Sequence, residues 1–163
     1  MQDADQEVLY GEFSRALVLY QDAIFSDKLD WWSKEGFESA RGSIINFTTP
    51  TVIAPDSTEY PRLAAYAYYR IMLLHLVQNH ESDANTVYNT LQEKFGNDQY
   101  GHPYVEMANT FWNAYQSTHK MYDGCAAAIE YAAEHPDILI PLGSDYHGSQ
   151  SHIYKPEDVC PFR

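Results

Sequence analysis

The side chains that could do chemistry are few and dispersed. Glu35 and Glu38 fall in Glu35-Gly36-Phe37-Glu38-Ser39, and a glutamate in an apolar cleft can act as a general acid. No second element of a sugar-cleaving site accompanies them, so an exposed acidic helix is the simpler reading. The chain has seven histidines. His147 and His152 share the last stretch with Asp145 and Asp158, and imidazole with carboxylate can hold a divalent ion. Their loop spacing presets no geometry, so neither a metal nor any other cofactor is expected. His75, on an apolar helix, reads as a satisfied core histidine. There is no Ser-His-Asp arrangement, phosphate-cradling loop or dinucleotide motif. The sequence thus offers no active site, and the expectation is a protein that is not an enzyme.

Covalent chemistry is better represented. Cys125 begins an alanine-rich helix, and Cys160 lies in a proline-flanked tail. Two cysteines are compatible with one disulfide or with two buried thiols. A bridge is expected; it would staple the tail to the last helix and, if unstrained, stabilise by roughly 3–4 kcal/mol. That favours an oxidising compartment. Asn46-Phe47-Thr48 is a glycosylation sequon, and Thr49 and Thr51 flank Pro50 in the same loop. On an exported protein, Asn46, Thr48, Thr49 and Thr51 are the candidates to carry sugar.

The elements that position these residues read as helices. From Glu12 to Phe25, apolar residues at 13, 16, 17, 20, 23 and 24 form one stripe. Residues 26–57 read as an insertion, with Trp31-Trp32 and a Thr/Pro-rich loop. Thr58-Glu59-Tyr60-Pro61 is a helix start. Leu63 to Val77 is apolar nearly all round, which implies burial on several sides. Asn79 takes a turn, Ser82 or Asp83 is expected to cap the next helix, and its stripe is 84, 87, 88, 91 and 95. Helices are expected from Tyr104 to about Ser117 and from about Asp123 to Glu134. Residues 137–163 read as an irregular tail.

Bulk properties bound the rest. A chain of 163 residues, 45% hydrophobic, suits one domain with a sizeable core. Its net charge of −13 argues against nucleic acid, whose phosphates need basic contacts. The same charge favours basic or cationic partners. No apolar run approaches the ~20 residues of a membrane helix. The first residues lack a secretory signal, and Asp5 to Tyr10 supplies only about half a paired helix, as in a piece of a longer repeat protein.

Gly11, Ala16, Tyr20 and Ala23 match the turn glycine, small residue, large aromatic and small residue of a tetratricopeptide repeat (TPR). Tyr68, Ile71, Met72, Ala84, Tyr88 and Leu91 match a second repeat, with Asn79 in place of the turn glycine. Met72 departs from the family's preference for a small residue. The tail, with its HPY and FWNAY neighbours, is similar to the carboxy-terminal region of predicted exported bacterial TPR proteins of unassigned function. The resemblance implies an all-α stack of about three antiparallel helical hairpins in a single domain: a partial first hairpin (1–25), the insertion (26–57), a second (58–95), a third (102–136) and the tail (137–163). It implies a non-catalytic module that binds a peptide or protein segment in a groove, through Tyr69, Arg70, Asn109 and Asn113, with Trp31 and Trp32 as further contacts. The alternative is a structural subunit of an extracellular, glycosylated homopolymer or filament.

Overall fold

A computed structural model of the protein describes residues 2–25, 59–139 and 155–162. Among them there are six α-helices and no strand: α1 (Gln2–Leu9), α2 (Phe13–Phe25), α3 (Glu59–Val77), α4 (Glu81–Phe95), α5 (His102–Thr118) and α6 (Met121–Glu134). Single 3-10 turns follow at Pro136–Leu139 and Pro156–Val159. The all-α expectation holds, and α4, α5 and α6 each begin slightly earlier than their sequence signals. No described helix is long and apolar enough to cross a membrane.

Three turns bring consecutive helices together, and each needs a residue in the left-handed region. Gly11 at φ 78 joins α1 to α2, Asn79 at φ 62 joins α3 to α4, and His119 at φ 54 joins α5 to α6. Glycine and, less readily, asparagine adopt that conformation at low cost. α1 packs on α2, α3 on α4 and α5 on α6, and the pairs touch each other mainly through α3. The expected cap at Ser82 or Asp83 is not used. α4 starts one residue before Ser82, after His80, and has no side-chain cap.

α3 is the centre. From Leu63 to Leu76 every residue is buried, as an all-round apolar helix must be. Around it lie Ala16, Tyr20 and Ile24 of α2, Ala84, Leu91 and Phe95 of α4, and Tyr104, Ala108, Phe111, Trp112 and Tyr115 of α5. Those are the stripes that the 3.6-residue period marks. α6 meets α5 through small residues, Gly124, Ala128 and Ala132, all buried. The tail returns as a packed strap: Val159 and Cys160 are fully buried, and the Phe162 ring meets Phe13 edge-on at 5.4 Å.

Candidate interaction surface

Tyr69 and Arg70, expected to line an open groove, lie in the core at 0% and 3% exposure. Both sit on α3, which has neighbours on every side, and the returning tail closes over Arg70. Asn109 is half-buried between α4 and α5: its Oδ1 accepts from Tyr88 Oη at 2.8 Å and from Gln92, and its Nδ2 reaches Glu106 at 3.3 Å. It fastens two helices. Asn113 alone of these four is exposed. Trp31, Trp32, Asn46, Thr48, Thr49 and Thr51 lie outside the described residues.

Arg70 belongs to a buried polar network that joins four segments. Asp5 Oδ1 accepts from the hydroxyls of Tyr20 and, at 2.7 Å, of Tyr66. Arg70 Nε donates to Tyr66 Oη at 2.8 Å and stands 4.0 Å from Asp5. Its Nη2 donates to the Asp158 carbonyl at 2.8 Å, which ties the tail to α3. Burial, with the Asp5 charge beside them, holds the Tyr20 and Tyr66 phenols well above their usual pKa. Burial alone would lower that of Arg70, but Tyr66, Tyr20 and Asp5 raise it further, so Arg70 stays charged. Tyr69 is raised by burial. The network reads as structural: Tyr20, Tyr66 and Arg70 are buried to 3% exposure or less, out of reach of a ligand.

The expected disulfide is present. Cys125 and Cys160 are bridged, with their Cα atoms 5.4 Å apart, inside the usual window. It fixes the tail against α6. Between α6 and the tail runs a groove of about 440 Å³, floored by Tyr122, Cys125, Ala126, Ile129 and Ala133 and edged by Glu130, Pro156 and Glu157. The Tyr122 side chain is 67% exposed. An aromatic ring standing free beside small apolar residues is a ready anchor for a partner. Both flanking glutamates are exposed. Sequence reasoning misses this surface because it depends on where the tail returns; the disulfide expectation is the signal that could have found it.

His75 also differs from its expected state. It is buried at 9% exposure, yet its Nδ1 has no hydrogen-bond partner among the described residues. Burial lowers its pKa, partly countered by Asp83.

Protein-family models, curated proteins and solved structures yield no match to this chain.

Proposed function

We propose that this chain is a non-catalytic interaction module, a TPR-like stack of three helical hairpins, that binds a protein or peptide segment in the groove between α6 and the tail. The observation that carries the reading is that groove: an apolar floor with a free Tyr122 ring, held rigid from below by the Cys125–Cys160 bridge. A rigid site loses little entropy on binding. The occupant that fits is a short segment with an apolar side chain next to lysine or arginine. The apolar group would rest on Ala126, Ile129 and Ala133, and the base would meet Glu130 or Glu157. The net charge of −13 steers such segments inward. The disulfide supports an exported protein.

A display selection of random peptides against the oxidised chain tests the reading. Selected peptides should pair a basic with an apolar residue, and Ala126→Glu or Glu130→Lys, both at exposed positions, should abolish their binding while the melting temperature stays within a few degrees. Peptides that bind these variants equally well would remove the groove from the proposal.

The structural-subunit reading rests on a different observation. Leu9, Tyr10 and Val18 of the first pair are 70%, 69% and 62% exposed, large apolar side chains that a second copy would remove from water. Self-association must overcome like charge, which favours the segment-binding reading. Light scattering over a concentration series in high salt separates the two. Growth beyond the 18.7 kDa chain, lost in Val18→Glu, would establish the subunit.

A further inference from the structure

The turn from α3 to α4 carries polar side chains that the helix packing does not use. Two backbone bonds close it: Asn79 N–H to the Leu76 carbonyl at 3.0 Å, and His80 N–H to the His75 carbonyl at 2.8 Å. This is the Schellman arrangement, in which the side chains at and near the ends of the longer bond commonly meet through an apolar contact. Here the bond itself joins His75 to His80, with ring centroids 6.2 Å apart. The first turn of α4 then adds Asp83. One ring nitrogen of each histidine and one carboxylate oxygen of Asp83 all lie within 4.8 Å of one another.

We infer that His75, His80 and Asp83 form a binding site for a divalent first-row transition ion. Three observations carry the assignment. First, His75 is fixed in the core with its Nδ1 unpaired among the described residues, an arrangement that wastes desolvation unless the ring is used. Second, His80 and Asp83 are exposed, so both can swing onto the fixed imidazole and close to bonds of about 2.0–2.2 Å. Third, the α1–α2 turn offers a control. It has the same pair of bonds, Gly11 N–H to Val8 and Glu12 N–H to Glu7. There the Glu7 side chain is answered by Arg15 at 3.3 Å. His75, at the matching position of the α3–α4 turn, has a second imidazole and a carboxylate close to its ring.

Two imidazoles and a carboxylate select zinc, cobalt, nickel or copper over magnesium and calcium. Glu81 is not part of the set. Its carboxylate already receives Gln116 Nε2 at 3.2 Å and Tyr115 Oη at 3.5 Å, and stands 3.7 Å from His119. Three protein donors leave a coordination position for water or for a donor from a bound partner. The ion would clip α3 to α4 across their turn. The site stands apart from the α6 groove and does not depend on it.

The test uses the full, tag-free, metal-stripped chain with its disulfide intact. Zinc chloride is titrated by calorimetry, and cobalt(II) by visible absorption, which reports the donor set. The expected result is one saturable ion per chain and a rise in melting temperature. His80→Ala and Asp83→Ala, both at exposed positions, should each weaken zinc by more than the about tenfold that loss of an outer-shell partner costs. The His147→Ala/His152→Ala variant should bind as the parent does. Absence of saturable binding into the millimolar range overturns the assignment. So does unchanged affinity in the His80→Ala/Asp83→Ala variant, or loss confined to the variant lacking His147 and His152.

Discussion

The two ends of the helical array are fastened by opposite means. The first pair is tied to α3 by polar groups: Asp5 of α1, Tyr20 of α2, and Tyr66 and Arg70 of α3 share one buried network. The last pair is held by close approach and a covalent bond. Gly124, Ala128 and Ala132 let α6 settle onto α5, and Cys125 is bridged to the tail. A polar network fixes one geometry and fails badly when a member is lost, because the survivors stay buried and unpaired. Small-residue packing is indifferent to pH but intolerant of added volume. The chain joins the two devices where Arg70 reaches across to the Asp158 carbonyl of the disulfide-anchored tail.

The sharpest way to break the comparison is to remove the network's cation. Arg70→Leu leaves the Asp5 carboxylate, the Tyr66 hydroxyl and the Asp158 carbonyl with fewer partners. A cost of about 3–5 kcal/mol is expected for breaking a buried pair, read as a drop in the urea midpoint. The double variant Asp5→Leu/Arg70→Leu should cost less than the sum of the singles, since neither charge is then stranded. Strict additivity would mean that the two act independently.

Next in size is the covalent anchor. Replacing Cys125 and Cys160 by alanine should cost about 3–4 kcal/mol, the loop-closure value for a separation of 35 residues. Elastase cleavage after Val159, fully buried in the parent, should appear in that variant and not in the parent. The same experiment sharpens the comparison, because release of the tail also removes one of Arg70's acceptors. A loss well below that expected for the bridge would show that the packing of Val159 and Phe162, with the Arg70 bond to Asp158, holds the tail without it.

Two alanine substitutions then separate volume from backbone strain. At Gly124 an added Cβ would stand 2.7–2.9 Å from three atoms of the Phe111 ring, and that ring is fully buried. Gly124→Ala should cost about 1–3 kcal/mol, recovered in part by Phe111→Leu. At Gly11 there is open space, but φ is 78. Gly11→Ala should cost about 1–2 kcal/mol from the left-handed backbone, and Gly11→Asn much less. Both are read from urea midpoints. Rescue of Gly11→Ala by a core truncation would contradict the strain argument.

What the sequence reveals follows the reach of each interaction. The stripes of α2, α4 and α5 are legible because period and burial are local, and the Gly11 and Asn79 turns because their residue types permit positive φ. The disulfide is legible from count and context. The Asp5–Tyr20–Tyr66–Arg70 network is not: Tyr66 and Arg70 share a helix face four residues apart, but Tyr20 and Tyr66 lie 15 and 61 residues from Asp5 and no periodicity links those three. An α3 buried all round already excludes Tyr69 and Arg70 as groove residues, and the stripe pattern should outweigh the family analogy there. The α6 groove and the His75–His80 contact both depend on where the backbone turns, a property of geometry rather than composition.

The smallest effect at neutral pH becomes the most discriminating at high pH. Tyr20→Phe removes one donor from Asp5, which keeps Tyr66, so the loss should be about 1 kcal/mol. In the parent, burial first and the Asp5 charge second raise the Tyr20 phenol well above its ordinary value of 10.0. The folded state therefore holds this proton more tightly than the unfolded chain does. Its contribution is fully present below pH ~10 and is lost as pH climbs from there toward the raised folded value. Each such phenol steepens the decline by about 1.4 kcal/mol per pH unit. Tyr66 and Tyr69 are also raised, so the parent should lose stability steeply above pH ~10 and Tyr20→Phe less steeply, by one proton's slope. Urea midpoints for the two proteins between neutral and strongly alkaline pH measure the difference. Parallel declines would mean that Tyr20 does not keep its proton in the folded state and that the first pair is not held by this network. A control at the other end, Cys125→Ala/Cys160→Ala, removes no phenol and should keep the parent's alkaline slope at lower overall stability.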